Sequence, residues 1–115
     1  MIHSDIAVFL TDYGYFEEAR SELEKALLYN KDLSGVHNNW GYYYYKQMKY
    51  KRAIESFRKA IELNPKNYSY HNHLAFTLLE LGKIRESLLA FRKSLAINGN
   101  QPEIRKCMKE HLVNN

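Results

Sequence analysis

Turn formers and thiols are scarce in this chain: two prolines, five glycines and one cysteine in 115 residues. So few prolines and glycines argue against an all-β protein, whose short strands need a turn roughly every ten residues. With Cys107 alone, no internal disulfide can brace the fold, and a reducing, cytoplasmic setting is the expectation. A lone thiol near a chain end is read as inert rather than nucleophilic. No apolar run approaches the roughly 18 residues that a membrane-spanning helix needs. The opening stretch, MIHSDIAVFLTDYG, lacks the basic start and small-residue cleavage site of a secretory leader. No glycine-rich loop follows a strand-like run, so a phosphate cradle is not expected. Acidic pairs such as Glu17-Glu18 belong to helix surfaces, and no pocket for catalytic carboxylates is evident. The chain is expected to be neither an enzyme nor a cofactor carrier.

What the chain has is self-similarity. Gly14-Tyr15-Phe16-Glu17-Glu18-Ala19 aligns with Met48-Lys49-Tyr50-Lys51-Arg52-Ala53, and again with Gly82-Lys83-Ile84-Arg85-Glu86-Ser87, at a constant offset of 34. At the same offset fall Leu23, Phe57 and Phe91; Ala26, Ala60 and Ser94; Ala7, Gly41 and Ala75; Ile6, Trp40 and Leu74; and Leu10, Tyr44 and Leu78. Large apolar positions match large ones, and small match small. Within the second copy, His37, Trp40, Gly41 and Tyr44 share one helical face, and Ala53, Phe57, Ala60 and Ile61 share another. Gln47-Met48-Lys49 is the turn between them, and Leu63-Asn64-Pro65 ends the second helix. Near the end, Gly99 and Pro102 bracket the start of another helix, whose narrow apolar stripe is Ile104, Met108 and Leu112.

This ladder resembles the tetratricopeptide repeat. The best copy is WGYYYYKQMKYKRAIESFRKAIELNP, with Trp40-Gly41, Tyr44, Tyr50, Ala53, Phe57, Ala60 and Pro65 on the family's positions. Met48 stands where the family has a turn glycine, and Ser87 and Ser94 stand where it has small alanines. The resemblance implies an all-α, right-handed α-solenoid of three helical hairpins plus a C-terminal capping helix. The chain then forms a single repeat domain: residues 1–33, beginning one position late, then 34–67 and 68–101, with the cap over 102–113. Small residues in the ladder let paired helices approach closely while large neighbours fill the grooves.

The run Trp40-Gly41-Tyr42-Tyr43-Tyr44-Tyr45 suits a strand or a base-stacking ladder at first sight. On a helix, successive residues are about 100° apart, so the four tyrosines cannot share a face. Tyr44 is assigned to the repeat core, Tyr43 to the side meeting neighbouring helices, and Tyr42 with Tyr45 to the remaining face. In the family, that face of each first helix lines a concave groove. The register then offers Ser4, Asp5, Val8 and Thr11 from the first copy, Asn38, Asn39, Tyr42 and Tyr45 from the second, and Asn72, His73, Phe76 and Leu79 from the third. The implied function is that of a scaffold or adaptor gripping a peptide segment of a protein partner. Aromatic surface would supply affinity, and Asn39 and Asn72 would hold the peptide backbone. The bland alternative is a water-facing row of polar helix residues, which leaves the apolar patch of Tyr42, Tyr45, Phe76 and Leu79 without a purpose.

Some family members clamp the C-terminal carboxylate of heat-shock chaperones with two lysines, an arginine and two asparagines. The matching positions here are Ser4, Val8, Asn39, Ser69 and His73, so only Asn39 agrees and clamp-type binding is not expected. His71 and His73 do not read as metal ligands, because rings two apart on a helix diverge by roughly 200°. His3, His37 and His71 recur at the repeat spacing and are read as packing residues. Arg52, Arg58 and Lys59, then Arg85, Arg92 and Lys93, mark a basic outer stripe that could meet RNA. The interleaved Glu55, Glu62 and Glu86 favour a solvated surface, so nucleic acid is not the expected partner. The formal charge of +4 is unevenly placed: residues 1–33 hold seven acids against three bases, and the remainder fourteen bases against six acids. That asymmetry leaves head-to-tail homo-oligomers open as a rival reading.

Overall fold

The computed structural model describes the backbone of residues 2–30 and 32–113, and the side chains of 5–30 and 32–111. Among the described residues there are seven helices and no strand: α1 (Ile2–Asp12), α2 (Phe16–Tyr29), α3 (Leu33–Lys46), α4 (Tyr50–Leu63), α5 (Tyr68–Glu80), α6 (Ile84–Ile97) and α7 (Pro102–Val113). The first helices of the three hairpins end at 12, 46 and 80, and the second ones begin at 16, 50 and 84, so the period of 34 in the sequence is the period of the fold. Helices pair as α1–α2, α3–α4 and α5–α6, and each hairpin leans on the next through α2–α3 and α4–α5. The molecule is elongated, 43 × 25 × 21 Å. This is the α-solenoid of three hairpins and a terminal helix that the ladder implies.

Each hairpin turn closes in the same way. The turn residue takes a left-handed backbone, φ +80° at Gly14, +61° at Met48 and +76° at Gly82. Its own N–H bonds back to Thr11, Tyr45 or Leu79, and the next N–H reaches Leu10, Tyr44 or Leu78. These two bonds satisfy carbonyls that a helix end leaves open. A glycine adopts that backbone freely, whereas Met48 holds it against a steric penalty, with its side chain 73% exposed.

Packing within a hairpin depends on the small positions. Ala7, Ala19, Ala53 and Ala75 are fully or almost fully buried. At Gly41 the approach is tighter: a Cβ there would lie 2.4 Å from the ring of Phe57. The two serines that replace alanines are buried and bonded. Ser87 Oγ donates to the Ala75 carbonyl (2.8 Å), tying α6 to α5, and Ser94 Oγ accepts from Gln101 Nε2 (2.9 Å). The core forms two clusters, one around Ala7, Ala19, Leu23 and Tyr43, the other around Phe57, Leu74, Leu78 and Phe91. Half-buried Tyr44 packs against both. Tyr43 is the more deeply buried of the two, 7% exposed, because it is the residue inserted between α3 and the first hairpin. Ile104 and Met108 of α7 join the second cluster; the third residue of their stripe, Leu112, lies outside the described side chains.

Two substitutions in one hairpin should move stability in opposite directions. Gly41→Ala forces the buried Phe57 ring to shift and should cost about 1–3 kcal/mol. Met48→Gly removes the left-handed strain and should gain roughly 1 kcal/mol. Denaturant unfolding of both variants beside the wild type checks the pair; equal midpoints would remove the packing account of the turn and the contact.

Candidate partner-binding groove

The first helices touch one another, α1 with α3 and α3 with α5, whereas α2, α4 and α6 meet no other second helix. The first helices are therefore the inner, closer-spaced layer, and their free face is the concave one. Tyr42, Tyr45, His73 and Phe76 converge there. With Phe57 as a floor and Thr77 at the side they line a cavity of about 170 Å³ between α3 and α5. Phe76 stands 40% exposed with its ring edge-on to Phe91, centroids 5.0 Å apart. A larger depression of about 310 Å³ opens on the outer side, where α4 and α6 splay over α5, between Arg58, Glu86, Leu89 and Lys93.

The polar groups of the groove are held in place by one another. Tyr42 donates its hydroxyl to Asp12 at the end of α1. Burial, then that hydrogen bond, pushes the Tyr42 phenol up to about 12. Tyr45 is likewise raised, by burial first and then by the charge of the nearby Glu80 carboxylate. Tyr45 also meets Tyr50 edge-on, centroids 5.5 Å apart. Asn38 Oδ1 lies 2.8 Å from His73 Nδ1, a bond between consecutive hairpins. Burial lowers the His73 pKa, so the ring is neutral near pH 7 and its Nδ1–H is the donor to Asn38.

Of the positions read from the sequence, Asn39 and Val8 are half-buried on the first helices, and Asp5 is exposed. Ser4 and His3 fall outside the described side chains. Three positions differ from a simple row of groove contacts. Thr11 is 2% exposed, with its hydroxyl folded back onto the Ala7 carbonyl at 2.7 Å. A short β-branched side chain satisfies its own helix where Tyr45, at the same register, is long enough to reach out. Asn72 donates to Gln101 Oε1 at 2.8 Å, so its amide serves the junction with α7. Leu79 is half-buried against the second core cluster. The sequence reading missed Asp12 and Glu80, although both stand at one register, 68 residues and thus two repeats apart.

His71 and His37, outside the groove, are packing groups. His71 is 6% exposed and its Nε2 is 2.9 Å from the Pro65 carbonyl, tying α5 to the turn that ends α4. His37 is held below its usual range by burial and then by nearby Lys59. Burial, then the charge of Glu110, raises the Cys107 thiol, which disfavours the reactive thiolate.

The fold and groove define a helical-repeat solenoid with an aromatic concave face. Residues 35–67 and 56–88 match family models described as tetratricopeptide repeat. Residues 35–88 thus carry tetratricopeptide repeats, whose family members are typically non-catalytic scaffolds for protein–protein interaction. No curated protein matches the chain. Among solved structures it is similar to one from the functional characterisation of pilF of Pseudomonas aeruginosa, with a TM-score of 0.85 and 28% identity, covering 97% of this chain and 51% of that one. It is also similar to MamA, with a TM-score of 0.80 and 16% identity over 92% of this chain and 62% of that one. A third is the first tetratricopeptide domain of Spaghetti bound to the HSP90 peptide SRMEEVD, with a TM-score of 0.83 and 16% identity over 95% and 86% of the two chains. The chain thus spans about half of the first of these and under two thirds of the second.

The neutral His73 generates a pH dependence of known sign. Its folded-state pKa lies below the ordinary imidazole value of about 6.5, so below that pH the unfolded chain binds more protons than the folded one. Stability is complete above about pH 6.5 and falls as pH drops through and below it. His37, shifted the same way, adds to the effect. The loss in thermal midpoint between about pH 7.5 and about pH 5.5 should be smaller in His73→Gln than in the wild type. An identical loss in both would remove His73 from this account.

Proposed function

We propose that this chain is an adaptor that captures a peptide segment of a protein partner along its concave face, against Tyr42, Tyr45, His73 and Phe76. The observation that carries the reading is the convergence of those four side chains from two consecutive hairpins on one open cavity. Exposed aromatic rings over a rigid floor give contact area at low entropic cost, and half-buried Asn39 sits beside them to meet a peptide backbone. Val8 on α1 and Asn38 on α3 extend the same face, with Asn38 also bracing His73. Asn72 and Leu79 support the wall rather than the contact, through Gln101 and the core. The Spaghetti domain holds an acidic HSP90 peptide. This chain offers Val8, Asn39, Ser69 and His73 at four of the five clamp positions, without a lysine or arginine among them. A partner other than an acidic chaperone tail follows. The lone cysteine fits work in a reducing, cytoplasmic setting, and the interleaved acids of the outer stripe speak against nucleic acid.

Self-association is the second reading, and it has its own observation. Phe9 of α1 is 60% exposed, its ring tilted against Tyr13 with centroids 4.7 Å apart, whereas its equivalents Tyr43 and Thr77 are 7% and 0% exposed. The face that α3 and α5 each bury against a preceding hairpin is open in α1.

Affinity capture from a cell lysate separates the two. Tyr42→Ala combined with Phe76→Ala should lose the captured partner while keeping the helical circular dichroism of the wild type; unchanged capture would move the site off the concave face. Sedimentation at several protein concentrations tests the rival. A monomer unaffected by Phe9→Ser is expected from the adaptor reading, and a dimer abolished by that change would favour self-association.

A further inference from the structure

The groove has a chemical bias that the adaptor reading leaves unspecified. The side chains lining its cavity include four phenyl or phenol rings and an imidazole, and no lysine or arginine. The Tyr42 phenol proton is already given away, to Asp12. A phenol has one O–H, so the Tyr42 oxygen keeps only acceptor capacity towards a guest. The imidazole behaves alike: with Nδ1–H directed at Asn38, the remaining nitrogen of His73 carries a lone pair. Asp12 and Glu80 add two carboxylates at the ends of α1 and α5, against Lys46 at the register between them. The pocket therefore presents aromatic faces and a ring of acceptors, with net negative charge beside them.

A guest carboxylate would meet acceptors only, and an uncharged aliphatic chain would fill the pocket while leaving the acceptors without a partner. A side chain with an apolar stem and a cationic head satisfies both parts. Its stem lies along the rings, its head is attracted to their π faces, and its donors reach the oxygens. Resting on the groove reading above, we propose that this cavity is a specificity pocket for an arginine or lysine of the partner segment, its stem against Tyr42, Tyr45 and Phe76 and its head towards Asp12 and Glu80. The partner is then a basic segment, opposite in charge to the acidic peptide held by the Spaghetti domain.

Selection of a randomised peptide-display library on the full chain tests this, with the Tyr42→Ala/Phe76→Ala protein as the subtraction control. Peptides enriched on the wild type alone should share an arginine or lysine. In titrations of one such peptide, exchanging that residue for norleucine or for glutamate should weaken binding by roughly tenfold or more. Asp12→Asn combined with Glu80→Gln should bring the basic peptide down to the norleucine level, with helix content unchanged. Enriched peptides without a basic residue, or an arginine peptide bound no better than its norleucine form, would overturn the charge preference and leave the groove standing. Equal enrichment on the wild type and on the aromatic-depleted control would overturn both.

Discussion

The contact between the bare backbone of Gly41 and the ring of Phe57 is the constraint on which the middle of this molecule rests. The ring sits where a Cβ would be, at 2.4 Å, and is 2% exposed. α3 and α4 can lie that close because Gly41 offers no side chain. The same ring is tilted against His73, centroids 5.5 Å apart, and forms the floor of the concave cavity. One close approach therefore sets the spacing within a hairpin, the seat of the next one and the depth of the groove. The cost is helix propensity, since glycine inside a helix is less favourable than alanine by about 1 kcal/mol. Burial of a phenylalanine, worth roughly 1.5–3 kcal/mol, exceeds it.

From that contact outward, the structure is repetition with local edits. The turns at Gly14, Met48 and Gly82 share one hydrogen-bonding scheme although one residue is not a glycine. At the buried alanine positions, Ser87 and Ser94 are accepted because each hydroxyl has a partner, the Ala75 carbonyl and the Gln101 amide. A buried hydroxyl without one would cost about 1–3 kcal/mol. The edits occur where the backbone or a neighbouring amide can absorb them, so the period survives them.

Legibility of the sequence followed the length scale of each interaction. Helix number, hairpin pairing and turn positions were readable because they depend on a spacing of 34 and on which positions are small. The tyrosine run was also readable: Tyr42 and Tyr45 face the groove, and Tyr43 the preceding hairpin. The finer assignment of polar groups was not. Thr11 and Tyr45 share a register, yet one turns back to its own helix while the other lines the cavity it shares with α5. Asn38 and Asn72 also share a register, yet Asn38 meets His73 and Asn72 meets Gln101. These outcomes depend on what the next hairpin places opposite, which differs for the last repeat because α7 begins at Pro102 after an irregular turn.

The attachment of α7 has a consequence for how the solenoid opens. Gln101 accepts from Asn72 and donates to Ser94 and Asn98, so one amide joins α5, α6 and the turn before α7. Beyond it α7 is held by Ile104 and Met108 and by Arg105 on the Gly99 carbonyl, far less than the two-sided burial of α3 or α5. In a linear array, where each unit leans only on its neighbours, a helix packed on one side opens more readily than one packed on two. The backbone amides of α7 then exchange with solvent through a local event that leaves the Tyr42–Phe76 cavity intact, whereas those of α3 exchange only when the array itself comes apart.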